Sequence, residues 1–182
     1  MVKIVLAGDG AVGKTSVRQR YIGKEFKENY MMTIGANFIT KKIEVPEGHN
    51  FVKAQIWDLA GQPSFQEVRE KYYKGSHGAI IVFDITRKSS FENIHNWIKE
   101  IGRQITTPIL PVVLFGNKID LLKDPNEMVS KEEIAEMQQI ISELLGEGRL
   151  EVPFIFTSAK TNKNIDHGFK LALEKIIEAW GD

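Results

Sequence analysis

Gly8-Asp9-Gly10-Ala11-Val12-Gly13-Lys14-Thr15, running on into Ser16, is the first stretch of the chain with residue types and spacing that can do chemistry. The pattern is G-x-x-x-x-G-K-[ST], a phosphate-cradling loop. Glycines let the backbone fold tightly and approach a ligand closely. The amides exposed in such a turn converge with the free N–H groups of a helix start on one anion. Lys14 adds a point charge for outer phosphates, and the Thr15 hydroxyl is an oxygen ligand of the kind Mg²⁺ takes. Three further polar clusters follow: Asp58-Leu59-Ala60-Gly61-Gln62, Asn117-Lys118-Ile119-Asp120 and Ser158-Ala159-Lys160.

Apolar runs must position these clusters. The run at 2–7 reads as a strand, and 16–22 as the helix after the Gly-rich turn. A polar connector at 24–35, without a clean period, reads as a loop. Runs at 36–45 and 51–58 flank Pro46-Glu47-Gly48-His49-Asn50 and predict an antiparallel hairpin. A short helix is expected up to Lys74. The run 79–84 is continuously apolar, as a strand covered on both faces should be. From about Ser90, Phe91, Ile94, Trp97, Ile98 and Ile101 recur at helical spacing. A strand is expected at 109–115. Ser130-Lys131-Glu132-Glu133 has capping-box form and opens a helix whose apolar face carries Ile134, Met137, Ile140, Ile141, Leu144 and Leu145, ending at Gly146 or Gly148. A last strand at 152–156 and a helix at 165–180 complete the chain. Alternating strands and helices predict a doubly wound sheet, parallel except for one hairpin strand. Ligands of such sheets bind off the carboxyl ends of the strands. All four polar clusters fall on that edge.

Bulk properties narrow the classes. The chain has 182 residues, read as one domain over 1–182, with 24 basic and 24 acidic residues and zero net charge. Broad electrostatic binding to nucleic acid or anionic membrane is not expected. Cysteine is absent, so disulfides, thiolate metal sites and prenylation sites are not expected, and the sequence does not support membrane attachment. A reducing compartment, the cytoplasm, fits. The four histidines are scattered without ligand spacing and predict surface or local packing roles.

The order of Gly8 to Thr15, Thr33, Asp58 to Gln62, Asn117 to Asp120 and Ser158 to Lys160 resembles that of the small Ras-like GTPases over essentially the whole chain. The stretches Tyr30-Met31-Met32-Thr33-Ile34-Gly35-Ala36-Asn37-Phe38 and Ile56-Trp57-Asp58 look most like the Rab branch. The resemblance implies a P-loop NTPase, Ras-like three-layer α/β fold: a six-stranded, mostly parallel sheet with one antiparallel strand, and about five helices on both faces. It implies a GTP-binding switch that hydrolyses GTP to GDP with Mg²⁺, binds regulatory and effector proteins such as an activating protein and an exchange factor, and serves signalling or vesicle trafficking.

Guanine reading has a direct chemical argument. Guanine offers two adjacent donors, N1–H and the exocyclic amine, and one acceptor, O6. An ionised Asp120 only accepts and can take both donors. Adenine has no N1–H. By resemblance, Asn117 binds the base and braces the phosphate loop, the Lys118 and Lys160 stems flank the ring, Ala159 reaches O6, Ser158 orients Asp120, and Phe26 lies against the guanine. Tyr30 also falls among the nucleotide contacts. For phosphoryl transfer the resemblance assigns Thr15 and Thr33 as Mg²⁺ ligands and Asp58 as a ligand through water. It places the Gly61 amide on the γ-phosphate and gives Gln62 the attacking water, with Lys14 and Thr33 assisting.

Departures also inform. No arginine lies between Lys24 and Val68, so slow hydrolysis is expected, with a partner supplying an arginine worth ~10³–10⁵ in rate. Arg69 is expected on a solvated helix face. Pro63 replaces the family's usual glutamate; it biases Gln62 toward extended geometry and suits the first position of a helix. Ile34, Phe38, Trp57 and Tyr72 match a partner-facing surface in position. The segment 121–151 is longer than usual in the family, and the cysteine-bearing tail of Rabs has no counterpart. A second reading remains open beside the hydrolysing switch: a nucleotide-gated binding module in which Pro63 disables Gln62. An ATP-dependent enzyme fits the first loop but not Asn117 to Asp120.

Overall fold

A computed structural model describes residues 1–27, 32–44, 51–124 and 129–180. The elements are β1 Val2–Ala7, α1 Lys14–Tyr21, β2 Ala36–Glu44, β3 Phe51–Leu59, α2 Gln66–Tyr73, β4 Gly78–Asp84, α3 Lys88–Glu92, α4 Ile94–Gly102, β5 Val112–Asn117, α5 Lys131–Gly146, β6 Phe154–Phe156 and α6 Ile165–Trp180. The six strands lie in the order β2-β3-β1-β4-β5-β6. Only β2 runs antiparallel, pairing Ala36 with Leu59 and Phe38 with Trp57. The remaining pairings are parallel. With α3 and α4 nearly continuous, five helical units cover the sheet, as the resemblance implies. The hairpin's turn and Tyr30 lie outside the described residues.

Period-2 alternation along the strands divides the core between the two faces. Ile4, Leu6, Ile80, Val82, Val113 and Phe115 point toward α1 and α6, where they meet Val17, Tyr21, Phe169, Leu173 and Ile176. Val5, Ala7, Ile81, Phe83, Val112 and Leu114 point the other way, toward Tyr73, Phe91, Trp97, Ile98, Ile141 and Leu145 of α2 to α5. Each fully buried Ile, Leu or Phe contributes about 1.5–3 kcal/mol. A sheet buried on both faces needs near-continuous apolar strands, and all seven residues of β4 are buried.

Several elements differ from expectation for local reasons. Strand β5 starts at Val112 rather than 109, because Pro111 has no N–H for a ladder. Pro153 delays β6 to Phe154 in the same way, while its carbonyl still accepts from the Leu114 amide at 2.8 Å. The helix expected from Ser90 begins at Lys88 and divides at Asn93. Helix α5 has the full capping box: Glu133 N–H donates to Ser130 Oγ, and Ser130 N–H donates to Glu133. Leu144, expected on its apolar face, is 48% exposed. The buried stripe of Ile134, Met137, Ile141 and Leu145 is only wide enough to leave Leu144 outside it.

Candidate functional site

The Gly-rich turn joins the C-terminal end of β1 to the first turn of α1, so the free amides at that helix start face outward from the sheet edge. Gly13 has φ 100°, a left-handed conformation, and a Cβ there would stand 2.4 Å from Asn117 Nδ2. No other residue fits without displacing that amide. Lys14 is nearly buried, and its ammonium donates to the carbonyls of Gly8 (2.6 Å) and Asp9 (2.8 Å). Burial lowers its pKa to about 8, against the pull of Asp58 and Asp9.

A second group comes from the ends of β5 and β6. Asn117 is buried at the last position of β5; its Nδ2 donates to the Val12 carbonyl at 2.9 Å, tying the phosphate loop to the neighbouring strand edge. Its Oδ1 accepts from Thr157 Oγ1 (3.2 Å) and from the Ala159 amide (3.3 Å). Ser158, also buried, donates from Oγ to Asp120 Oδ1 at 2.5 Å. Asp120 is thereby held with its other oxygen available to a ligand. Lys118 reaches back to Asp84 Oδ2 at 2.7 Å. Burial opposes ionisation of Asp84, but Lys118 and Thr86 outweigh it and hold the carboxyl below its usual pKa.

A third group faces the first across the loop. Thr15 Oγ1 lies 2.8 Å from Thr33 Oγ1 and donates to Asp58 Oδ2 at 2.7 Å. Asp58 is fully buried at the end of β3, and its Oδ1 has no hydrogen-bond partner among the described residues. Burial raises its pKa, against the Thr15 hydrogen bond and the charges of Lys14 and Arg18. Two hydroxyls and one carboxylate with a buried free oxygen form a hard-oxygen donor set. It fits Mg²⁺, which takes few protein ligands and completes its octahedron with water and phosphate. Gly61 packs so tightly on the loop that a Cβ would lie 2.5 Å from Asp9 C and Gly10 N. The Gln62 amide nitrogen would be 3.5 Å from a Cβ on Gly10. Gln62 is extended (φ −80°, ψ 144°), and Pro63 opens the 3₁₀ turn Pro63–Phe65, so both expectations for Pro63 hold.

The three groups enclose one cavity of about 460 Å³. Among the residues expected to bind nucleotide, Gly10, Ala11, Gly13, Lys14, Thr15, Ser16, Phe26, Thr33, Gly61, Asn117, Lys118, Asp120, Ala159 and Lys160 line it, together with Gln62. A model of the Ras family matches residues 3–178. The chain belongs to the Ras family. It is 35% identical to the Ypt/Rab-type GTPase YPT7 of Saccharomyces cerevisiae over 173 residues, covering 93% of this chain and 78% of that protein. Ras-related protein Rab7 of Glycine max is 34% identical, with 93% and 79% covered. Ras-related protein Rab-21 of Homo sapiens is 37% identical, with 97% and 72% covered. Within the Ras family the chain is a Rab-like small GTPase.

Gly8, Asp9 and Val12, expected among the nucleotide contacts, also brace the loop, and the expectation for Arg69 needs correction. The Asp9 side chain does not face the cavity: its Oδ1 accepts from Asn93 Nδ2 at 2.5 Å and from Trp97 Nε1 at 2.7 Å, on the α4 side. Gly8 and Val12 contribute carbonyls to Lys14 and Asn117 rather than cavity wall. Arg69 is not solvated. It is 4% exposed, bonded through Nε and Nη2 to both oxygens of Glu100 (2.6 and 2.7 Å) and through Nη1 to the Gln62 carbonyl (2.6 Å). Gln19, Lys27 and Leu121 also line the cavity, and Arg87 Nη2 donates to the Gly10 carbonyl at 2.9 Å. These escaped the sequence reading because no motif contains them. Phe38, Trp57 and Tyr72 do meet, with ring centroids 4.5 and 5.1 Å apart. Phe38 is 48% exposed and Ile34 76%, while Trp57 and Tyr72 are half-buried against the core. His77 packs locally, accepting from the Lys3 amide at Nδ1 and from Trp180 at its carbonyl.

Proposed function

We propose that this chain is a single-domain guanine-nucleotide switch that hydrolyses GTP to GDP slowly and presents a different surface in each state. The observation that carries the reading is the bond from Ser158 to Asp120, beside Asn117 tied to the phosphate loop. Together they hold a carboxylate, which only accepts, at a fixed distance from a phosphate cradle. Guanine can satisfy it with two donors and adenine cannot. Phe26 and the stems of Lys118 and Lys160 provide flanking walls.

Each residue then has a task. Lys14 and the amides of the Gly-rich turn neutralise the β- and γ-phosphates. Thr15, Thr33 and Asp58 would hold Mg²⁺, which when bound offsets charge building on the phosphate oxygens. The Gly61 amide donates a hydrogen bond to a γ-phosphate oxygen. Gln62 orients the water for in-line attack, and positioning and charge stabilisation account for most of the rate. Loss of the γ-phosphate releases Thr33 and Gly61, and the loops that carry them relax. Partners such as an activating protein, an exchange factor and effectors would read that change at Ile34, Phe38, Trp57 and Tyr72. Clustered aromatics of this kind, with Phe38 exposed, are typical anchors. No described helix is long and apolar enough to cross a membrane, and a cytoplasmic place of action fits the absence of cysteine.

The test has two stages. Nucleotide extracted from the purified protein should be GDP or GTP, and single-turnover phosphate release from GTP should be slow. Gln62→Leu should lower that rate on the order of a hundredfold, the low end of the range for a group assisting proton transfer, with GDP affinity retained. Equal release by both proteins, with and without candidate activators, would leave the non-hydrolysing binding module in its place. That alternative draws on the extended Gln62 beside Pro63.

A further inference from the structure

Arg69 is the most elaborately held side chain outside the cavity. Two of its nitrogens form a bidentate pair with Glu100, whose Oε1 also accepts from Tyr73 Oη at 2.7 Å. Burial disfavours the charged guanidinium, and Glu100 more than restores it, so the pKa lies above its ordinary value. A pair of this kind, by itself, is weak evidence of anything but packing. The remaining nitrogen carries the argument. Nη1 donates to the Gln62 carbonyl at 2.6 Å and approaches the Ala60 carbonyl at 3.4 Å, the two carbonyls on either side of Gly61. The guanidinium also lies 4.3 Å over the Trp97 ring. The Trp97 indole N–H is the same one that holds Asp9 of the phosphate loop. Helix α4 therefore holds the phosphate loop through Trp97 and the Gln62 loop through Glu100 and Arg69.

We propose that Arg69 is a positioning residue for hydrolysis, acting through the backbone of Gln62. This rests on the GTP-hydrolysing reading above. Gln62 lines the cavity with its side chain next to Gly10, so anchoring both carbonyls fixes the backbone from which that side chain enters. Lysine would not replace it, having no planar fork to span Glu100 and a carbonyl at once.

A double-mutant cycle tests this. Arg69→Met with Glu100→Gln removes both charges together, so neither is left buried alone, and Arg69→Lys is the milder second variant. Each is made with Gln62 intact and with Gln62→Leu, and single-turnover phosphate release is measured. With Gln62 intact, the paired change should slow release on the order of tenfold, as expected for losing a charged hydrogen bond at a fixed geometry. In the Gln62→Leu background it should change release less than about twofold, because residues acting as a unit are not additive. GDP dissociation should stay within a similar factor, and amide hydrogen exchange over residues 60–65 should speed up. An equal loss in both backgrounds, no loss in either, or unchanged exchange at 60–65 would overturn the proposal. Failure of the hydrolysing reading is seen separately, as equal release by the wild type and Gln62→Leu alone, and it would take this proposal with it.

Discussion

The two ends of the cavity are built differently. At the base end, Asn117, Thr157 and Ser158 are at most 1% exposed and sit on or just beyond strands β5 and β6. Their side chains bond to one another, to Asp120 and to Val12. At the phosphate end, the groups facing the loop come from connectors. Thr33 is flanked by Met32 at 51% and Ile34 at 76% exposure, and Gln62 by a 3₁₀ turn. Only Asp58 there is anchored in a strand. On the proposed reading, the base is the same in GTP and GDP, so its readers gain by rigidity. The γ-phosphate comes and goes, so its readers must be able to let go, and such segments come from the less stable parts of a fold.

The largest test of this contrast is at Asp120. Asp120→Ala should reduce GTP and GDP affinity alike by roughly tenfold to a hundredfold, the scale of losing a bidentate base contact, and should erase preference over ATP in a competition titration. A larger loss for GTP than for GDP would mean the base end is not state-independent. Thr15→Asn probes the other end. It should weaken Mg²⁺ and GTP binding several-fold more than GDP binding, since removing one protein ligand matters most where phosphate and metal are shared. Comparable losses in titrations of both nucleotides would count against that division.

The smallest effect is expected at Asp84, which braces Lys118 from below. Its folded pKa lies below the ordinary carboxyl value of 3.8. A lowered carboxyl pKa contributes stability that is fully present above the unfolded value and is lost as pH falls through the folded one. Asp84→Asn should therefore lower unfolding free energy modestly at pH 7, by about 1 kcal/mol or less because Lys118 is partly exposed, and lower Tm accordingly. The difference from wild type should shrink as pH drops below 3.8. A Tm difference independent of pH would show that the pair adds nothing electrostatic.

Much of the site was legible because its chemistry is local in sequence. The Gly-rich turn, Asn117 to Asp120 and Ser158 to Lys160 each lie at a strand end, and β-strand periodicity located those ends to within a few residues. The capping box at Ser130 was legible for the same reason, since Glu133 is its partner within one turn. Arg69 was not. On α2 it reads as one more polar helix residue, and its partner Glu100 is 31 residues away on a different helix. The Asp9 side chain was no more legible: inside a phosphate-binding motif, it answers to Asn93 and Trp97, 84 and 88 residues on.

Local order of residue types alone therefore determined the Gly-rich turn, the proposed base-reading carboxylate, the proposed cation-holding hydroxyls and the alternation that makes a doubly wound sheet. Backbone geometry enforces these within a few residues, so no distant partner was needed. Tertiary structure decided which polar side chains are spent inside. It turned Asp9 away from the cavity and buried Arg69 between Glu100 and the Gln62 carbonyl. Burial makes a charge costly unless a partner is supplied. That partner is chosen by which helices pack together, which the order of residues along the chain does not state.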